Sequence, residues 1–149
     1  MVAVVRPDSW NLPLFVHVAG AMLLVGALVV VTVAMAAALR RGDGVEVLTR
    51  LAFRALLIGV IPAYVLMRVG AEWIASEENI PDELDWVGIG YIVADLGLLL
   101  TLITAVLAWR AARRGADGPG GAGRAAFVLA AVLIVAYGVA LWAMATKPA

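Results

Sequence analysis

Four long apolar segments, roughly 12–39, 51–74, 86–109 and 125–145, occupy most of this 149-residue chain. Each meets the about 20 residues that a helix needs to cross a hydrocarbon core about 30 Å thick. The expected class is therefore all-α: a polytopic membrane protein built as a single domain over 1–149, with the lipid bilayer as its main surroundings. Short connections between the segments make sequential neighbours antiparallel, which predicts an up-down four-helix bundle.

Composition narrows the chemistry. The hydrophobic fraction is 64% and the mean hydropathy +1.02, more apolar surface than a soluble domain of this length can hide. Formal net charge is zero, so no global field points to a nucleic-acid partner. The absence of cysteine excludes thiol redox chemistry, disulfides and thiolate metal sites. The single histidine excludes a His-pair metal or haem site within one protomer. No nucleophile–base pair or metal-hydrolase spacing is present, so an enzyme is not expected. The N-terminus does not read as a signal peptide. Only Arg6 precedes an apolar run that is too long for one, and Arg40 and Arg41 follow it instead.

Loop charges predict the topology. Arg40, Arg41, Arg50 and Arg54 follow or flank the first loop, and Arg110, Arg113, Arg114 and Arg124 the third, so 8 of the 11 basic residues lie on one side. The middle loop carries Glu72, Glu77, Glu78, Asp82, Glu83 and Asp85 instead. The positive-inside rule puts loops 40–50 and 110–124 in the cytoplasm and loop 75–85 outside, with both termini. Trp10, Trp73, Trp86 and Trp142 then fall at the outer interface and Trp109 at the inner one.

Local chemistry predicts boundaries and packing. Asp43-Gly44-Val45-Glu46 has the form of a capping box opening the second helix. The glycine-rich stretch 115–123 reads as a flexible linker and lacks the ending of a phosphate loop. Gly90, Ala94, Gly97, Thr101, Ala105 and Ala108 fall on one face of the third span. Gly20 and Ala27 on the first span and Ala136 and Ala140 on the fourth are further small residues for close helix contact. Pro62, mid-way along the second span, cannot donate to the Ile58 carbonyl, so a kink is expected there, with a carbonyl free to line a cavity.

The polar residues at membrane depth are the candidates for function. Ionisable groups there cost about 2.5–3.5 kcal/mol each on insertion scales and normally face the bundle interior in pairs. The inner half carries little beyond Thr32, Thr101 and Thr104. In the outer half His17, Arg68 and Asp95 come from three different helices, yet all sit roughly 8–13 Å below the interface at helical rise. Tyr64, Arg68 and Glu72 are spaced by four, as are Tyr91 and Asp95, and Tyr137 reaches a similar depth. The expected site is an outward-facing polar pocket of His17, Tyr64, Arg68, Glu72, Tyr91, Asp95 and Tyr137. The structural alternative is an Arg68–Asp95 ion pair that only fixes register, with His17 bonded to a backbone carbonyl.

The first span reads Leu14-Phe15-Val16-His17-Val18-Ala19-Gly20-Ala21-Met22-Leu23-Leu24-Val25-Gly26. This resembles the His-x-x-Gly-Ala-x-x-x-x-Gly opening helix of bacterial copper-resistance-D-like proteins and a related family of predicted integral membrane proteins without an assigned function. The resemblance covers about the first 30 residues and the four-span plan. It implies a protein of the bacterial plasma membrane. The copper-linked family usually carries more spans and further metal-type ligands than this chain has.

Three functional readings stand at this point. The first is non-catalytic: binding or passage of a small ligand or ion through the polar pocket, or an accessory role in a larger membrane complex. The second is a redox subunit that carries haem or copper on His17. The third is a purely structural protein, docked through its small-residue faces, as in a homodimer.

Overall fold

The computed structural model describes residues 8–40, 43–78 and 85–146. Expectations that rest on Arg6, Arg41, Asp82 and Glu83, and on the side chains of Glu78, Asp85 and Trp86, lie outside those residues. Helix α1 spans Asn11–Leu39, after a 3-10 turn at Asp8–Trp10. The second span is composite: α2 at Val45–Ala55, a π-helical turn at Leu56–Val60, and α3 at Ile61–Glu78. Helix α4 covers Asp85–Arg113 and α5 covers Gly120–Thr146. The described residues are all-α, with four segments long and apolar enough to cross a membrane, as the apolar pattern predicts.

Two local expectations are corrected. The capping box does not form: Gly44, at φ +80°, holds the N-cap position, and no side chain caps the helix. The left-handed backbone there suits glycine. The linker is shorter than composition suggested. A 3-10 turn occupies Gly115–Asp117 and α5 already starts at Gly120, because the positive φ of Gly115, Gly118 and Gly120 turns the chain within a few residues.

The helices form a ring with one weak seam. Helix α1 packs between the second span and α5, and α4 packs along α5 and against α2. Helix α4 barely touches α3. The bundle is thus closed at the end bearing Arg40 and Arg113, and parted between α3 and α4 at the end bearing Asn11 and Glu77. Leu24, Leu28, Val31, Met35, Leu56, Val60 and Leu133 fill the centre and are fully buried. The outward faces remain apolar, as lipid contact requires: Met22, Ile58 and Val135 are among the most exposed side chains.

Glycines set the close contacts between helices. A Cβ added at Gly20 would fall 2.8 Å from Met67 Cα, and one at Gly70 would fall 2.7 Å from His17 Cα. Helices α1 and α3 therefore touch backbone to backbone, running antiparallel. On the other side, the small stripe of α4 meets α5: Ala94, Gly97, Thr101, Ala105 and Ala108 are buried, and Gly97 underlies the Tyr137 ring. A Cβ at Gly97 would lie 2.5 Å from the Tyr137 hydroxyl oxygen and 3.0 Å from Cζ. Gly97→Leu should therefore displace Tyr137 and destabilise the bundle by about 1–3 kcal/mol, the usual cost of overpacking. A wild-type unfolding midpoint in detergent would refute this.

Candidate functional site

The polar residues gather where α3 and α4 part. Tyr64, Arg68 and Glu72 repeat every four residues along α3, so they share a face turned toward α4. Tyr91 and Asp95 repeat the same way on α4. Arg68 is the hub. Its Nη2 lies 3.2 Å from Glu72 Oε1 and 3.6 Å from Asp95 Oδ1. Its guanidinium also stacks over the Tyr91 ring, 4.6 Å from the centroid. Tyr91 donates its hydroxyl hydrogen to Glu72 Oε2 at 3.4 Å. One cation thus bridges a seam that apolar packing leaves nearly unfilled.

The charge balance of this cluster is uneven. One guanidinium faces two carboxylates, a formal net charge of −1. The carboxylates are also the outer members. The Asp95 side chain is 67% exposed and that of Glu72 53%, against 29% for Arg68. Asp95 lies ten residues into α4, about 15 Å along it at helical rise. A carboxylate this far along a spanning helix normally has a partner or a water-filled cavity beside it.

His17 belongs to a different contact. Its Nδ1 lies 2.8 Å from the Met67 carbonyl oxygen, which only accepts, so Nδ1 carries the hydrogen and donates it. The ring is thereby fixed at the α1–α3 junction, where the His17 backbone and Cβ lie against Gly70. At about 100° per residue, Arg68 points roughly 160° away from Gly70 around α3. His17 and Arg68 lie at one level of the bundle, since His17 abuts Met67 and Gly70, but a shared level does not specify azimuth. Among the described residues, no hydrogen bond or ion pair is seen between His17 and the Arg68 cluster.

Tyr64 and Tyr137 lie deeper. Tyr64 is 6% exposed and close enough to Arg68 and Asp95 to feel both charges. Tyr137 is 5% exposed, neighbours Tyr64, and has no hydrogen-bond partner for its hydroxyl among the described residues. Thr101 Oγ1, one turn along from Gly97, is in the same position. Thr32 and Thr104 instead donate to their own helix, at Leu28 and Leu100. A buried hydroxyl without a partner is costly, and its removal is expected to be neutral or stabilising. Tyr137→Phe should hold or raise the unfolding midpoint, and a clear fall would show that the hydroxyl has a partner in the folded protein.

The seven sequence candidates therefore resolve into a cleft cluster (Arg68, Glu72, Tyr91, Asp95), two tyrosines behind it (Tyr64, Tyr137), and His17 apart. No group of three or more His, Asp or Glu side chains is placed to hold a metal ion among the described residues. With Nδ1 engaged, His17 retains one ligating atom, Nε2. A copper centre takes further nitrogen or sulfur ligands, and none is placed beside His17 in a metal-holding group among the described residues.

Fold and site together define a multi-pass four-helix membrane protein with an off-centre charged cleft. No protein-family model matches the chain, and comparison with curated proteins and with solved structures yields no significant match.

Proposed function

We propose that this chain is a non-catalytic membrane protein whose α3–α4 cleft binds a small polar ligand or ion, or receives a polar group of a larger membrane complex. The uneven charge of the cleft carries this reading: two carboxylates, more than half exposed at membrane depth, share a single arginine. A positively charged group in the cleft would complete the balance. In this reading Glu72 and Asp95 hold the ligand, Arg68 and Tyr91 position Glu72, and Tyr64 and Tyr137 form the inner wall. The arginine-rich loops face the cytoplasm of a bacterial plasma membrane, and the cleft opens to the opposite side. The lone weak seam supports an accessory or binding role more than transport, since a transporter usually pairs discontinuous helices in both halves. Among the described residues, the mid-span π turn occurs in the second span alone.

A second reading, a haem-carrying subunit, rests on His17. A donated Nδ1–H orients a histidine for ligation through Nε2, as carbonyl-bonded histidines are oriented in metal sites. It would need its remaining ligands from elsewhere, such as a second copy across a two-fold axis. Mass spectrometry of small molecules and metals retained by the purified protein distinguishes the readings. The cleft reading expects about one retained ligand per protomer, lost in Glu72→Gln/Asp95→Asn and kept in His17→Ala. Stoichiometric iron lost only in His17→Ala would favour the second reading and count against the first.

A further inference from the structure

The charged cleft opens sideways, between two exposed apolar edges. Glu72 meets Tyr91 and Arg68 meets Asp95, so α3 and α4 run antiparallel. At about 100° per residue, Val65 and Val69 stand about 60° and 100° round α3 from Arg68, on the side away from buried Met67. Ile92 and Leu96 stand at the same angles round α4 from Asp95, on the side away from buried Ala94. Because the axes are antiparallel, both sets turn to one side of the seam. All four are more than half exposed, whereas Tyr64 and Ala94 behind them are buried. The seam thus has an apolar outer mouth, of the kind lipid contact requires, and a charged level within it.

The mouth is narrow and runs inward. At the charged level one side chain spans it: the Arg68 guanidinium reaches Asp95 Oδ1 at 3.6 Å and covers the Tyr91 ring. A helix, about 10 Å across, is too wide for such a gap, whereas an alkyl chain has the width of a side chain. Leu99, 55% exposed, lies one turn further along α4 than Asp95, about 6 Å at helical rise. Val65 lies about one turn deeper than Arg68 in the same sense. A chain lying between Val65 and Leu99 has its outer end level with Glu72 and Asp95. Those carboxylates are the exposed members of a cluster with a formal net charge of −1. Carboxylate oxygens accept hydrogen bonds, and hydrocarbon supplies none. The neighbour that satisfies them is a cation with N–H donors.

Resting on the cleft reading above, we propose that the ligand is a single-chain primary alkylammonium that enters from the bilayer. Its ammonium sits between Glu72 and Asp95, and its chain lies along Val65 and Leu99. A phospholipid is a poorer fit. An ethanolamine head brings a phosphate beside its ammonium and leaves the net charge of the cluster unanswered, and two chains exceed a gap one side chain wide.

The test uses the full chain in phosphatidylcholine nanodiscs, with 13C at the Asp95 carboxyl and at the Val65, Leu99 and Val135 methyls, followed by NMR. Val135, 66% exposed on α5, reports unspecific partitioning. Dodecylammonium should give saturable shifts at Asp95, Val65 and Leu99 with one half-saturation point, and only a linear drift at Val135. Ethylammonium should move Asp95 alone. Asp95→Asn removes an acceptor charge without removing the arginine, so the variant should fold. Its methyl response should need about tenfold more dodecylammonium, the loss of one charge-assisted hydrogen bond. Lysophosphatidylethanolamine, one chain with a zwitterionic head, should not displace the amine. Linear drift at Val65 and Leu99 beside a saturating Asp95 would overturn the alkyl chain and leave the cleft reading standing. An unchanged half-saturation in Asp95→Asn would overturn the proposal too, as would displacement by an equal amount of lysophosphatidylethanolamine, which would assign the seam to a lipid head group. An Asp95 carboxyl that answers neither amine would overturn both this proposal and the cationic ligand of the cleft reading.

Discussion

Gly70→Val should prise α1 from α3 and lower the stability of the bundle by about 3 kcal/mol, the upper part of the range for overpacked sites. The position explains the size. The new Cβ would fall 2.7 Å from His17 Cα, so backbone, rather than a mobile side-chain end, must yield. Separation of the helices would also stretch the His17–Met67 hydrogen bond, now 2.8 Å. Gly20→Val attacks the same junction from the other helix, against Met67. The double variant should therefore cost less than the sum of the two, because both act on one contact. Gly26→Ala supplies the control. Its Cβ meets nothing within 4 Å, and alanine favours a helix over glycine by about 1 kcal/mol, so this variant should be neutral or slightly stabilised. Denaturant titration in one detergent, read by helical circular dichroism, orders the four proteins. Equal midpoints for Gly70→Val and Gly26→Ala would refute the backbone contact.

Arg68→Ala should be the most damaging change in the cleft. It removes the single cation and leaves Glu72 and Asp95 to repel one another, taking the cluster from a net charge of −1 to −2. It also strips the stacking partner from Tyr91. Removing one member of a buried ion pair costs about 3–5 kcal/mol, and an exposed pair contributes at most about 1. Arg68 is 29% exposed and its partners more than half, so a loss of about 2 kcal/mol is expected. Asp95→Asn should act with the opposite sign, since it leaves one arginine against one carboxylate. The double variant Arg68→Ala/Asp95→Asn restores the wild-type charge and should recover much of the loss. Arg68→Lys should fall between, because an ammonium lacks the planar fork that reaches two carboxylates and lies flat on a ring. The result that sinks the electrostatic account is an Arg68→Ala/Asp95→Asn protein no more stable than Arg68→Ala.

These contrasts show why some of the molecule was legible in sequence and some was not. The small stripe of α4 could be read directly, since positions three and four apart share a face on any helix. Tyr64, Arg68 and Glu72 were grouped correctly for the same reason, as were Tyr91 and Asp95. The Arg68–Asp95 pair also formed, across the two helices. The assignment of His17 to that group had a weaker basis. Equal depth on separate helices says nothing about rotation about each axis, and the Gly70 contact turned His17 to the opposite side of α3. The capping box at Asp43 gave way to the left-handed Gly44, a choice set by how the chain must turn between α1 and α2.

The chain by itself determined the four helices and their apolar outer faces, because lipid requires backbone hydrogen bonds to close within each segment. The π turn just before Pro62 has a cause in the sequence as well, since an absent N–H is a covalent fact. Only the tertiary structure decided which helix faces meet. Between apolar helices in lipid, the hydrophobic effect supplies no preference, and association follows from close approach at small residues. Gly20 and Gly70 brought α1 against α3, and Gly97 brought α4 against α5. The seam between α3 and α4 was left to Arg68.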